Sequence, residues 1–143
     1  RQRPGRQLRH AALRRAAIRS ATLRRATIRF TSLQRGGRLR HGPGLLETTY
    51  EQCLARELAL QGVPFALQLG LPVEYKGVKI DCGYRLDLLV DGKLIVELKS
   101  VNALDPIHEA QVITYLKLSR VRTGLLIHFN VKLLKEGIRR FVV

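Results

Sequence analysis

Residues 42–143 of this 143-residue chain read as an α/β domain, a β-sheet covered by helices. Three observations predict it. Two segments carry apolar residues at helical spacing, short extended apolar runs lie between and after them, and Asp91-Gly92 is a hairpin signal between two of those runs. The first helix is expected over 45–61, with Leu46, Tyr50, Cys53, Leu54 and Leu58 on its stripe, and Gly62 and Pro64 stop it. Residues 65–76 alternate loosely, Gly77 turns, and the chain returns in extended form from Val78. A strand over 84–90 and its partner over 93–101 flank the hairpin. Asp105-Pro106 supplies an N-cap and a first-turn proline for a helix to about Ser119. A nearly continuous apolar strand over 124–130 and a last strand over 138–143, after Gly137, complete the order.

The charge divides the chain in two. Residues 1–41 hold 13 Arg and no acid, whereas 42–143 hold 13 basic and all 11 acidic residues, so the second part is near neutral. Most of the net charge of +15 therefore belongs to an Arg-rich N-terminal arm and says little about the domain's surface. From Ala11 the arm repeats every five residues, with Leu13, Ile18, Leu23, Ile28 and Leu33 at the centres. On a helix that step rotates about 140° and makes no stripe. A square β-coil would put all five aliphatics inside, as in a pentapeptide repeat, but five repeats make little more than one coil. A loosely ordered or helical arm and a low-complexity leader stand beside that reading. Arg14, Arg15, Arg24 and Arg25 would supply non-specific phosphate affinity. Gly36-Gly37 and Gly42-Pro43-Gly44 mark the boundary, giving an arm over 1–41 and a domain over 42–143.

Several classes are excluded. No apolar run approaches the roughly 18 residues of a membrane span, and no secretory pattern opens the chain. Cys53 and Cys82 form neither a disulfide framework nor a zinc spacing and read as reduced thiols of a cytoplasmic protein. The chain starts at Arg1 and contains no Met, so it reads as a fragment or a processed product.

Polar residues interrupt the apolar pattern at chosen places. Asp87 sits within Leu86, Leu88, Leu89 and Val90, where an uncompensated carboxylate is costly. Glu97 and Lys99 share one face of the next strand. A two-residue turn would leave Asp87 facing away from Glu97. A three-residue loop with Gly92 left-handed restores parity and makes Asp87, Glu97 and Lys99 converge, and this geometry is expected. Two carboxylates and an ammonium on one face suit a hard divalent cation and an oriented water, although a cross-strand salt bridge is the plainer explanation. Glu47 falls on the inward stripe of the first helix, or is merely a first-turn acid favoured by the helix dipole. Gln111 and Tyr115 share a face of the second helix, where satisfying nearby backbone is the commoner role.

In order, these pieces resemble a known pattern. Asp87 followed by Glu97-Leu98-Lys99 is similar to the D…(D/E)xK signature of the PD-(D/E)XK, or restriction-endonuclease-like, nuclease superfamily. Gln111 to Tyr115 resembles the QxxxY helix motif of its exonuclease-like branch. Gly44, Glu47 and Tyr50 match the motif that names the GxxExxY proteins, and the likeness extends through Gln68, Tyr75-Lys76-Gly77, Gly124-Leu125-Leu126 and Gly137-Ile138.

The resemblance implies a restriction-endonuclease-like core, a mixed β-sheet with a hairpin and flanking helices. It also implies a metal-dependent nuclease, hydrolysing phosphodiester bonds in DNA or RNA with Mg²⁺ or Mn²⁺. Asp87 and Glu97 would bind the metal, with Glu47 completing its shell or holding a water. Lys99 would orient the attacking water or stabilise phosphate charge, and Gln111 and Tyr115 would position the scissile phosphate or the lysine. The alternative is a non-catalytic nucleic-acid-binding or protein-interaction module that keeps the fold. Family members carry a further helix before Gly-Pro-Gly where this chain has Arg38-Leu39-Arg40-His41 and the repeats, so an uncovered face would favour a homodimer. His128 stands where relatives often have Asn and reads as a satisfied core histidine.

Overall fold

A computed structural model of the protein describes residues 44–143. The arm's repeats, its Arg14, Arg15, Arg24 and Arg25, and the replaced N-terminal helix lie outside the described residues. The elements run α1 (Glu47–Leu60), β1 (Phe65–Tyr75), β2 (Val78–Val90), β3 (Leu94–Lys99), α2 (Pro106–Ser119), β4 (Thr123–His128), a 3₁₀ turn (Leu134–Gly137) and β5 (Ile138–Val142). They form one five-stranded sheet in the order β1-β2-β3-β4-β5. The sheet is mixed: β3 and β4 are parallel, joined by the α2 crossover, and every other neighbour pair is antiparallel. No helix of the described residues is long and apolar enough to cross a membrane.

α1 ends as its sequence demands. Gly62 takes a left-handed φ of 64°, so the Gly62 and Val63 N–H groups can return to the carbonyls of Ala59 and Leu58. α2 begins at Asp105, whose carboxylate accepts from the Ile107 N–H at 3.0 Å, while His108 Nδ1 accepts from the Asp105 N–H. Both helix assignments hold to within about two residues at each end.

Alternation along β3 sends its side chains to two cores. Val96 and Leu98 pack under α1 with Tyr50, Leu54, Leu58, Leu88 and Ile127. Ile95 packs under α2 with Leu86, Val112, Leu116 and Leu126. The helices thus cover opposite faces of the central strands. β1 and β2 run on past this covered region as a two-stranded ribbon, closed by Lys76-Gly77, both at positive φ, the signature of a type I′ turn.

Two boundaries differ from expectation. β2 is one strand from Val78, irregular near Gly83, where φ is 72° and the Asp81 carboxylate accepts the Gly83 N–H. β3 stops at Lys99 rather than near 101, because the Ser100 N–H leaves the ladder for the Glu47 carboxylate at 3.1 Å.

Candidate functional site

The β2–β3 turn decides whether a site exists. The Lys93 N–H donates to the Val90 carbonyl across Asp91 and Gly92, both at positive φ, and pairing resumes at Val90 opposite Leu94. Three residues therefore lie outside the ladder, Leu88 falls opposite Val96, and the same register carries Asp87 level with Glu97. Beyond Leu88 and Val96 the ladder ends. The Leu98 N–H donates to Asp87 Oδ2 at 2.8 Å instead of to a backbone carbonyl. A carboxylate has replaced a ladder acceptor, which is how it tolerates its half-buried position.

Lys99 lies on the same face. Its ammonium donates to Glu97 Oε1 at 2.7 Å and lies 3.9 Å from Glu47 Oε1, which α1 delivers from the other side. Glu47 is anchored by the Ser100 N–H on its second oxygen, and the Ser100 hydroxyl donates to the Leu45 carbonyl at 2.7 Å. Four of the sequence-selected residues thus meet where β3 ends.

On α2, Gln111 donates to the Tyr115 hydroxyl at 2.6 Å. Tyr115 is nearly buried, and Glu97, Lys99 and Asp87 all act on its ionisation, which puts its ring beside the trio. Tyr84 of β2 packs edge-on against it at 6.2 Å between centroids. His128 is buried with Nε2 2.6 Å from the Val101 carbonyl, a satisfied structural histidine.

Two further polar residues reach the site. Glu51, one turn after Glu47, is only 6% exposed and accepts a short hydrogen bond from the Gln68 amide. The same amide nitrogen lies 3.5 Å from Asp87 Oδ1. The i, i+4 spacing of Glu47 and Glu51 is the one signal in the sequence that could have selected Glu51.

The electrostatics are those of an incompletely compensated pair of acids. Glu97 is 2% exposed, and burial together with the charge of Asp87 pushes its carboxyl up to about 7 against the pull of Lys99. Burial raises Asp87 too, opposed by the Leu98 N–H, Lys99 and Gln68. Burial by itself would lower Lys99, but Glu97, Glu47 and Asp87 outweigh it and hold the ammonium above its ordinary value.

A measurable pH dependence follows. Between the ordinary carboxylate pKa and about 7 the folded protein holds a proton on Glu97 that the unfolded chain has released. Glu97 therefore favours the fold most below that window, and the contribution disappears as pH rises through it. Denaturant unfolding at pH 5 and pH 8, without divalent cation, is expected to show wild type losing on the order of 3 kcal/mol relative to Glu97→Gln. A pH-independent difference between the two proteins would show that Glu97 ionises like an ordinary surface acid.

The donor set suits a hard cation in part. Glu97 Oε2 is buried without a hydrogen-bond partner, and the Asp87 carboxylate is near enough for its charge to raise Glu97, so two acids with unspent lone pairs share this part of the site. Among the described residues no group of three or more His, Cys, Asp or Glu side chains gathers to hold a metal, so water and backbone would supply the remaining ligands.

No curated protein and no solved structure is matched by the chain. A family model described as the PD-(D/E)XK nuclease superfamily matches residues 39–141, nearly three quarters of the chain, taking in both helices and all of the sheet but the last residue of β5. With that match, and with an acid, a second acid and a lysine gathered near the end of the central strand of a mixed sheet, this chain belongs to the PD-(D/E)XK nuclease superfamily.

Proposed function

We propose that the protein is a metal-dependent nuclease that hydrolyses phosphodiester bonds in DNA or RNA, and that it falls in the GxxExxY group of its superfamily. The observation that carries this reading is the unpartnered, buried Glu97 Oε2 in the neighbourhood of a second acid, Asp87, a concentration of negative charge that Lys99 only partly offsets. Folding around such a pair is unfavourable unless something else occupies it.

Asp87 and Glu97 would hold Mg²⁺ or Mn²⁺, which when bound lowers the pKa of water and neutralises charge developing on the phosphate. The protein's own groups do the rest. The Leu98 N–H fixes the plane of the Asp87 carboxylate, so the ligand is oriented before any cation arrives. Lys99, held by Glu97 and faced by Glu47, keeps its proton and presents a positive charge to the phosphate or to the attacking water. Glu47 orders solvent at the margin of the site while tying α1 to the end of β3. The Gln111–Tyr115 pair offers a hydroxyl and an amide on the α2 side to position the substrate. The Arg-rich arm, with Arg14, Arg15, Arg24 and Arg25, adds phosphate affinity that the near-neutral domain lacks.

The test is calorimetric titration of Mg²⁺ and of Mn²⁺ into the purified chain, followed by incubation with single-stranded and duplex DNA and RNA. Saturable cation binding and cleavage that a chelator stops are expected. Nucleic acid retained without cation-dependent cleavage would assign the protein instead to a binding module on a nuclease fold.

A further inference from the structure

We propose that Gln68 and Glu51 form a positioning pair that aims the Asp87 carboxylate, an inference that rests on the metal-dependent reading above. Gln68 occupies a left-handed φ of 50° inside β1, although Leu67 and Leu69 on either side keep one register with Leu88 and Leu86. Neither a turn nor a change of register accounts for that conformation, which residues with a side chain rarely adopt. Such backbone persists where surrounding structure holds it, and it concentrates at functional positions.

What the bend achieves is visible in the side chain. The Gln68 amide nitrogen meets Glu51 on one side and Asp87 Oδ1, at 3.5 Å, on the other. Ionised carboxylates only accept hydrogen bonds, so the nitrogen with its two hydrogens, and not the amide oxygen, must face both. Glu51 therefore decides which way the amide points. Without it the amide is free to turn its oxygen toward Asp87, lone pair against lone pair. Glu51 is placed for this task and little else: it is nearly buried on α1, and its hydrogen-bond partners among the described residues are the Gln52 and Gln68 amides.

Asp87 is then held at both oxygens, Oδ2 by the Leu98 N–H and Oδ1 by Gln68. Each oxygen keeps lone-pair capacity for a cation, and rotation of the carboxylate is opposed from two strands at once.

Gln68→Gly separates a positioning role from a structural one, because glycine adopts a left-handed φ freely. In the full chain this variant is expected to unfold within a few degrees of wild type, because the relief at the left-handed φ is set against the loss of a hydrogen-bond partner for the buried Glu51. Its Mn²⁺ dissociation constant, read by calorimetry, should nonetheless rise about 10- to 100-fold, with Mn²⁺-dependent cleavage falling in step. Glu51→Leu should weaken Mn²⁺ binding to a similar extent, and Glu51→Gln, which keeps an acceptor for the Gln68 amide, should recover most of it. Wild-type affinity in Gln68→Gly overturns the proposal, as does a loss of affinity in Glu51→Leu that Glu51→Gln fails to recover. If wild type itself takes up no Mn²⁺, the metal-dependent reading falls and the pair with it. If wild type binds and both Gln68→Gly and Glu51→Leu bind equally well, the positioning role alone falls.

Discussion

Replacing Lys99 with methionine is expected to slow cation-dependent cleavage by about three orders of magnitude while the protein still takes up Mn²⁺. Methionine preserves most of the side-chain volume but carries no charge. The lysine side chain is 12% exposed and its ammonium sits 2.7 Å from Glu97 Oε1, so its loss leaves Glu97 and Asp87 with less positive charge to offset them. A bound cation compensates that deficit, and the variant should therefore gain more thermal stability from Mn²⁺ than wild type does. What the cation does not replace is the positive charge beside the substrate. Asp87→Asn is the converse case: it removes a negative ligand while keeping shape, and it should lose Mn²⁺ binding and cleavage together. Calorimetry beside single-turnover cleavage distinguishes them. Wild-type rates in Lys99→Met, or loss of Mn²⁺ uptake in that variant, would show that the lysine is structural.

The largest effect on stability is expected from Gly137→Ala. Gly137 is buried where the 3₁₀ turn enters β5, and an added Cβ would lie 2.1 Å from the His128 carbonyl oxygen and 2.9 Å from Val131 Cγ2. The oxygen is backbone and cannot swing away. His128 is level with Lys99 across the parallel β3–β4 pair, and the neighbouring Phe129 N–H donates to the Lys99 carbonyl at 2.9 Å. Relieving the contact means shifting the strand beside the site, at about 3 kcal/mol. Gly124→Ala is the control. Its Cβ would meet Val112 Cγ1 at 2.9 Å and Leu116 Cδ1 at 3.3 Å, the ends of side chains that can repack, so about 1 kcal/mol is expected. Urea midpoints at unchanged m values measure both. Equal losses in the two variants would contradict the difference between a backbone clash and a side-chain one.

Much of the site was legible because it obeys local rules. A strand inverts its faces every residue, so the length of the Asp91–Lys93 loop alone settles whether Asp87 and Glu97 meet, and Asp-Gly favours positive φ where the loop needs it. Helical spacing put Gln111 and Tyr115 on one face of α2 for the same kind of reason, and a hydrogen bond joins them there, whereas Glu47 stays half-exposed at the start of α1. The end of β3 escaped this logic. Nothing in Ser100 or Val101 forbids a strand, and pairing stops there because Glu47, 53 residues earlier, captures the Ser100 N–H.

The amino-acid sequence by itself determined the order of elements, the two helix caps and the convergence of Asp87, Glu97 and Lys99, since each depends on neighbours within a turn or a hairpin. Only the tertiary structure decided that Glu51 is buried, that Gln68 bends out of strand geometry, and that one amide joins Glu51 to Asp87. Those contacts bridge 17 and 19 residues between α1, β1 and β2. Burial and backbone strain at such positions are set by what packs against them in space, and no periodicity along the chain encodes that.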